Sequence, residues 1–344
     1  MSKILVTGGT GYIGSHTVVK LLEEGFEAVI IDNLSNSELE VLDGITAITG
    51  KEPHFEQVDL RDRDLVFKVF EKHPDIQAII HFAAFKAVGE SVEKPLAYYE
   101  NNLLSLIHLL EAMKKFQVGH LVFSSSCTGY GEPDSLPVDE SAPIKKANSP
   151  YGNTKQICED ILQDTLVSSP ELGVISLRYF NPIKAHASAE IGELPIGVPN
   201  NLVPFVTQTA AGIRERLNVF GNDYNTPDGS AVRDYINVVD LARAHIVAIR
   251  RLLNNNQKSS FEVFNLGTGK GYSVLEIIHA FEKATGQKVN FKIVDRREGD
   301  VEQVYADTAF ANRELGWEAE KGIEETLLSA WNWEENIRSK KSRS

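Results

Sequence analysis

Along the first half of the chain, short apolar runs alternate with stretches of helical spacing. The runs are Lys3 to Thr7, Ala28 to Ile31, His54 to Val58, Ala78 to Phe82, His120 to Phe123 and Val174 to Leu177. Runs of this kind suit strands covered on both faces, so the pattern predicts an α/β fold with a doubly wound parallel sheet. Six such strands fit before Asn181. Beyond it Pro182, Pro195, Pro199, Pro204 and Pro227 interrupt the pattern, and Pro199-Asn200-Asn201 and Thr226-Pro227-Asp228-Gly229 read as turns. The expected division is a nucleotide-binding domain over residues 1–181 and a smaller α/β substrate-binding domain over residues 182–344. Residues 232–253 regain a strand-then-helix pattern that can return to the first domain, with the part from about Phe264 completing the second. Neither an internal repeat nor a low-complexity linker is visible.

The first run leads at once into Gly8-Gly9-Thr10-Gly11-Tyr12-Ile13-Gly14 and a helix through Leu22. Strand, glycine turn and helix form a Rossmann-type dinucleotide site: Gly8 for the turn, Gly11 for a pyrophosphate against the backbone, Gly14 for close helix packing. Asp32, at the end of the second strand, is placed to accept hydrogen bonds from a ribose and to repel a 2′-phosphate, which favours NAD over NADP. The alternatives are a purely structural glycine turn and an ordinary turn aspartate. Val58-Asp59-Leu60 and His81-Phe82-Ala83-Ala84 end two more strands, where a doubly wound sheet opens its crevice.

Tyr151 and Lys155 lie one helical turn apart, with Ser124-Ser125-Ser126 upstream. A phenol near an ammonium group is expected to lose its proton more readily and to serve in acid–base chemistry on a hydroxyl. The same spacing occurs by chance on many exposed helices, so the glycine turn is what gives it weight.

The 344 residues are 42% hydrophobic and 24% charged, enough for one large or two moderate domains. A net charge of -13 argues against general binding of nucleic acid or anionic membrane, yet allows local basic pockets. Cys127 and Cys158 are too few for a disulfide framework or a zinc site, and no metal is expected. No stretch has the length of a membrane span and the N-terminus leads into a strand, so a cytoplasmic protein is expected. The basic end, Ser339 to Ser344, reads as a frayed tail. Helices over Pro95 to Lys115 and Pro150 to Val167 carry apolar residues beyond one stripe, among them Leu103, Leu106, Leu109, Leu110 and Met113. Core packing and a homodimer interface both explain them.

These features resemble the extended short-chain dehydrogenase/reductase family, and within it the UDP-glucose (UDP-galactose) 4-epimerases. The likeness runs from Ile4 to about Trp333 and is carried by residues 7–16, 86–91, 177–182, 219–224, 232–236 and 296–300. It implies that Tyr151 removes the sugar 4-OH proton while hydride passes to NAD. Ser126 then hydrogen-bonds the same oxygen, and Lys155 binds the nicotinamide ribose and depresses the Tyr151 pKa. A 4-keto sugar turns over in the pocket and takes the hydride back on its other face, so NAD is regenerated and held tightly. The cofactor contacts implied are Gly8, Gly11, Tyr12, Ile13, Gly14, Asp32, Asn33, Asn36, Ser37, Asp59, Leu60, Phe82, Ala83, Ala84, Lys86, Asn101, Ser124 and Tyr179, beside Tyr151 and Lys155. For the UDP-sugar they are Lys86, Ser126, Tyr151, Asn181, Asn201, Leu202, Phe220, Arg233, Arg297, Asp300 and Val304, with the two arginines on the diphosphate.

The chain departs from the family pattern in three places. Gly129 stands where a β-branched residue is usual and is expected to loosen the turn after Ser126. Lys184 stands where a small Gly is common, which brings a charge or a changed loop path to the substrate-domain entrance. Val304 stands where a bulky Tyr restricts the family's C2 pocket, so the N-acetylated sugar pair is also expected to fit. The rival readings are a nucleotide-sugar 4,6-dehydratase, an enzyme acting on UDP-glucuronate and a non-catalytic NAD sensor. Cys127 and Thr128, in the slots of the dehydratase acid–base pair, argue against the first. The epimerase motifs argue against the second, and the intact Tyr151, Lys155 and Ser126 against the third.

Overall fold

The computed structural model describes residues 2–297 and 300–341; Met1, Glu298 and Gly299 of the arginine motif, and Ser342 to Ser344 of the basic tail lie outside the described residues. The chain begins β1 (Lys3–Thr7), α1 (Tyr12–Glu23), β2 (Glu27–Asp32), α2 (Val41–Thr49), β3 (His54–Gln57), α3 (Arg63–Lys72) and β4 (Ile76–His81). There follow α4 (Val88–Glu93), α5 (Pro95–Phe116), β5 (His120–Ser126), α6 (Pro150–Ser168), β6 (Gly173–Tyr179), β7 (Asn181–Ile183), α7 (Leu202–Ala210) and β8 (Leu217–Phe220). The last elements are β9 (Val232–Asn237), α8 (Val238–Leu253), β10 (Phe261–Leu266), β11 (Gly271–Ser273), α9 (Val274–Thr285), β12 (Phe291–Val294), β13 (Gln303–Val304) and α10 (Ile323–Lys341).

Among the described residues, seven strands pair in parallel in the order β10-β6-β5-β4-β1-β2-β3. Successive side chains of a strand point to opposite faces, and here both faces are apolar. Ile4, Val6, Ile30 and Ile80 pack with Val18 and Leu22 of α1 and Leu241 and Ile249 of α8. Leu5, Val29, Ile31 and Ile79 pack with Phe70 of α3, Leu106 and Leu109 of α5 and Leu162 of α6. The sheet is therefore doubly wound. Its order reverses between β1 and β4, which opens a crevice at their carboxyl ends.

The segment expected to return to the first domain divides. Its strand, β9, pairs with β7, β11 and β13 in a second sheet, whereas its helix, α8, covers the large sheet. Phe264 belongs to neither end of the second domain: β10 pairs with β6 from Phe261 to Leu266 and supplies the seventh strand. A six-residue run with polar Glu262 and Asn265 carries too weak a pattern to reveal this. A separate core gathers α7, α9 and α10 through Val206, Ile277, Phe281, Leu327 and Trp331. Leu106, Leu109, Leu110 and Met113 are buried in the large core, while Leu96 and Val167 stay exposed. No helix among the described residues is long and apolar enough to cross a membrane.

The turn after β5 is tightly held. Gln156 Nε2 donates to the Gly129 carbonyl at 2.7 Å, and Thr128 donates to Ser126 Oγ from its nitrogen (3.2 Å) and its hydroxyl (2.9 Å). A Cβ on Gly129 would meet only Gln156 Cγ at 3.8 Å, an ordinary contact. The loosening expected of Gly129 is thus offset by hydrogen bonds on either side of it.

Beneath this turn lies a buried ion pair. Glu159 of α6 accepts from Ser125 Oγ of β5 (2.6 Å) and from Ser176 Oγ (2.8 Å), Arg178 Nε (3.1 Å) and Arg178 Nη2 (2.5 Å) of β6. The Arg178 guanidinium lies 4.7 Å from the ring centre of Tyr130, whose hydroxyl donates to Asn265 Oδ1 of β10 at 2.7 Å. Burial by itself raises the Glu159 carboxyl, but the hydrogen bonds and charge of Arg178 and the two serine hydroxyls outweigh it and hold it below its ordinary value. A depressed folded value means that this stabilisation is present above the usual carboxylate range and is lost as pH falls through the folded value. Glu159→Ala leaves Arg178 buried and unpaired, and should cost about 3–5 kcal/mol in chemical unfolding at neutral pH. The gap from wild type should narrow in acid; a gap that stays constant down to pH 3 would show that the pair contributes nothing.

Candidate functional site

The glycine turn joins β1 to α1 at the switch point of the sheet. Gly8 has φ +71, and a Cβ on it would lie 2.8 Å from the Ala83 nitrogen after β4. A Cβ on Gly14 would lie 2.1 Å from the Gly8 carbonyl oxygen, so at this position the helix packs onto the glycine turn itself. Gly9, absent from the expected set, lies just as close to Ile30 of β2. Gly11 is the N-cap of α1 and provides no side-chain cap, which leaves the N–H groups around Tyr12, Ile13 and Gly14 without a side-chain acceptor. That end of the helix fits the diphosphate of a dinucleotide.

Asp32 Oδ1 accepts from the Leu34 nitrogen (2.9 Å) and Ser37 Oγ (3.1 Å), and Oδ2 takes one long contact from the Thr10 nitrogen (3.4 Å). The carboxylate is fixed to both loops and retains acceptor capacity for a ribose. Thr10, also outside the expected set, bonds Ser37 through its hydroxyl at 2.8 Å. Asn33 Nδ2 donates to Asp59 Oδ2 at 3.1 Å, and Arg61 donates twice to Asp59, which holds the Asp59 carboxyl down at about 2. Leu60 is buried beside them and Asn36 is exposed.

Phe82, Ala83 and Ala84 follow β4 across the crevice, with the Phe82 ring 4.7 Å from His245. His245 Nδ1 meets the Leu241 carbonyl at 2.8 Å and Nε2 meets the Tyr179 hydroxyl at 3.1 Å, which fixes Tyr179 against the base of the site. Lys86 is half-exposed, its Nζ 3.6 Å from Glu193 and 5.9 Å from the Tyr12 ring centre. Asn101 is buried on α5 and donates to Asn102 Oδ1 at 3.0 Å.

The sheet order places β5 and α6 together, so Ser126, Tyr151 and Lys155 converge. Ser149 caps α6 by accepting from the Gly152 nitrogen at 3.1 Å, and Pro150 opens the helix. Thr128 occupies the Ser126 oxygen as donor, so the Ser126 proton is free for the Tyr151 hydroxyl. Lys155 Nζ donates to the Ser124 carbonyl at 2.7 Å and sits 5.0 Å from the Phe123 ring centre. Burial lowers the Lys155 ammonium to about 8, against the pull of Cys158 and Glu159. The lowered phenol expected from the sequence is reversed in the protein alone. Burial pushes Tyr151 up to about 12, the Ser126 hydrogen bond draws it down, and Cys127 adds a small upward push.

On the other side of the crevice, Asn181 begins β7 opposite Tyr235, Asn201 stands at the N-cap position of α7 and Leu202 is its first residue. Arg233 Nη2 and Arg297 Nη2 both donate to one oxygen, Asp300 Oδ1, at 3.0 Å each. Arg297 also lies over Phe220, 5.6 Å from its ring centre. Two guanidiniums held by one carboxylate keep a net positive charge, suited to a diphosphate. Val304 pairs with Arg233 in the second sheet and packs with Cys127 and Phe180, the neighbours in sequence of Ser126 and Asn181. Lys184 directs its ammonium at α10. Its Nζ is 3.5 Å from Glu325 of α10, its carbonyl accepts from the Tyr12 hydroxyl at 2.6 Å, and its φ of 101 lies in the region that favours glycine. No group of three or more His, Cys, Asp or Glu among the described residues is arranged to hold a metal.

The family model described as GDP-mannose 4,6 dehydratase matches residues 5–329. A UDP-glucose 4-epimerase of Bacillus subtilis is 52% identical over 340 residues, covering 98% of this chain and 99% of that one. A solved UDP-glucose 4-epimerase from Bifidobacterium longum, in complex with NAD+ and UDP, superposes with TM-score 0.94 at 45% identity over 98% of this chain and 99% of that one. The UDP-Glc/GlcNAc 4-epimerase of Campylobacter jejuni superposes with TM-score 0.83 at 35% identity, over 98% of this chain and 100% of that one. With that similarity spanning both units, the chain belongs to the UDP-glucose 4-epimerase family, within the broader group that the GDP-mannose 4,6 dehydratase model describes.

Proposed function

We propose that this protein interconverts UDP-glucose and UDP-galactose at C4, through a 4-keto intermediate, with NAD retained between cycles. The observation that carries the reading is the convergence of Ser126 at the end of β5 with Tyr151 and Lys155 on α6, together with a glycine turn that has no side-chain cap at the switch point of the sheet. When bound, NAD supplies the acceptor and later the donor of the C4 hydride, and a positive ring that favours the Tyr151 phenolate. Tyr151 takes the proton of the C4 hydroxyl and returns it on the way back, and Ser126 hydrogen-bonds the same oxygen. Lys155 adds its charge close by, and the paired Arg233 and Arg297 hold the diphosphate while the sugar turns over. Relatives crystallised with NAD or with UDP support this reading.

Dehydration is disfavoured on the same grounds. The Thr128 hydroxyl is committed to Ser126, and burial raises the Cys127 thiol to about 12. Neither offers the second acid–base group that loss of water across C5 and C6 requires.

The N-acetylated pair is a further part of the proposal. Val304 is a small side chain beside the neighbours of Ser126 and Asn181, and the Campylobacter relative is described as acting on both glucose and N-acetylglucosamine forms. We also infer a homodimer through α5 and α6, because Leu96, Ile107 and Val167 leave apolar side chains exposed on these two packed helices.

Incubating the purified protein with UDP-galactose should yield UDP-glucose, followed by proton NMR of the anomeric signals. Absence of conversion even with added NAD would sink the reading. Tyr151→Phe should lower turnover by roughly a thousandfold and leave NAD binding within about twofold. Val304→Tyr should suppress the N-acetyl pair selectively; equal loss on both sugar pairs would count against an open C2 pocket. Light scattering on a sizing column should give twice the chain mass, and charged substitutions at Leu96 and Val167 should restore the single-chain mass. A monomeric wild type would remove the dimer proposal.

A further inference from the structure

We propose that Glu193 is a positioning residue that ties the cofactor side of the site to its nucleotide side, an inference that rests on the UDP-sugar reading above. Glu193 lies in the loop between β7 and α7, and its backbone is pinned from α10: Trp333 Nε1 donates to the Glu193 carbonyl at 2.9 Å. A Cβ on the preceding Gly192 would fall 2.6 Å from the Trp333 indole, so a residue without a side chain lets the loop lie directly against that ring. The side chain is only 12% exposed.

One oxygen of this carboxylate serves two residues. Glu193 Oε1 accepts from Asn201 Nδ2, and the Lys86 ammonium lies 3.6 Å from the same atom. Asn201 stands at the N-cap position of α7 without a capping side-chain bond, on the proposed nucleotide side, and Lys86 follows β4 beside the ring of Tyr12 at the glycine turn. Burial is the main reason the Tyr12 phenol is raised, and the Glu193 charge adds to it.

The chemistry of the partners gives this contact direction. An amide donates only from nitrogen and a carboxylate only accepts, so Glu193 permits one orientation of Asn201. The Asn201 carbonyl oxygen and second N–H are thereby turned outward for a nucleotide. The same carboxylate restrains a flexible four-carbon lysine whose head is otherwise half-exposed. The negative charge is needed for Lys86, whereas an acceptor oxygen alone suffices for Asn201. A neutral isostere therefore separates the two roles.

The test measures UDP affinity by calorimetry and epimerisation kinetics with UDP-galactose, with thermal unfolding alongside, for four variants. Glu193→Gln should keep UDP affinity within about twofold while kcat falls roughly three- to tenfold, because only the lysine loses its partner. Glu193→Ala should show that fall together with a UDP affinity weakened roughly three- to tenfold. Asn201→Ala should weaken UDP to the same degree, and the double variant Glu193→Ala/Asn201→Ala should bind UDP no more weakly than Asn201→Ala alone. Losses that add in the double variant overturn the proposal, as does a Glu193→Gln enzyme with wild-type kcat. Loss of affinity and kcat in Glu193→Gln together with a lowered unfolding midpoint also overturns it, by assigning the residue a structural role. A wild-type protein that neither binds UDP nor turns over would instead sink the epimerase reading beneath it.

Discussion

A charge cannot remain inside a protein without a partner, and the catalytic segments are arranged around one such partnership. Glu159 is buried on α6 and Arg178 on β6, and each makes the other tolerable in a low-dielectric interior. The contact draws in Ser125 of β5 as well, so three neighbouring elements meet at one carboxylate. Ser126 follows Ser125 directly, and Tyr151 and Lys155 lie on the same helix as Glu159. The segments that carry hydroxyl, phenol and ammonium are thus tied together by an interaction that involves none of the three. Through Tyr130 and Asn265 it also extends to β10, the strand that the chain supplies last.

On the proposed reading, the two halves of the site use charge differently. On the glycine side the attraction for phosphate comes from backbone N–H groups at an uncapped helix start, which need no side chain and cannot titrate. Across the crevice it comes from Arg233 and Arg297, held in place by Asp300. The proposed chemistry lies between them, where burial raises the Tyr151 phenol to about 12 and lowers the Lys155 ammonium to about 8. Burial pushes these two groups toward neutrality from opposite directions. Both shifts favour the uncharged forms, so a positive charge brought into the site would favour the phenolate.

Much of this was legible in the amino-acid sequence, for physical reasons that differ between parts. A parallel sheet covered on both faces must be apolar at consecutive positions, so β1 to β6 stood out as runs. The glycine turn was readable because close approaches at Gly8 and Gly14 exclude any side chain. Gly9 and Thr10 were passed over, since their contacts with Ile30 and Ser37 depend on how β2 and its loop pack and leave no spacing to detect. β10 was missed because Glu262 and Asn265 break its run; both are buried, held by Arg251 and by Tyr130 from other parts of the chain. The protonation of Tyr151 was misread because distance to Lys155 along a helix is visible in a sequence and desolvation is not. Arg233, far along the chain from the neighbouring Arg297 and Asp300, was named with them only through family resemblance. Glu159 and Glu193 were not singled out at all, since an isolated glutamate carries no pattern.

Lys184 is a point where the backbone asks for glycine and the chain supplies a long side chain. A non-glycine residue with φ 101 bears a backbone penalty on the order of 1–3 kcal/mol, and here the residue also sinks an ammonium group against the C-terminal helix. Its carbonyl still serves Tyr12, so the contact with the glycine turn survives the change of side chain. Folded proteins hold only about 5–15 kcal/mol in reserve. With part of that margin offset by the backbone at Lys184, a destabilising change elsewhere leaves a larger unfolded fraction than it would in the same fold without this strain.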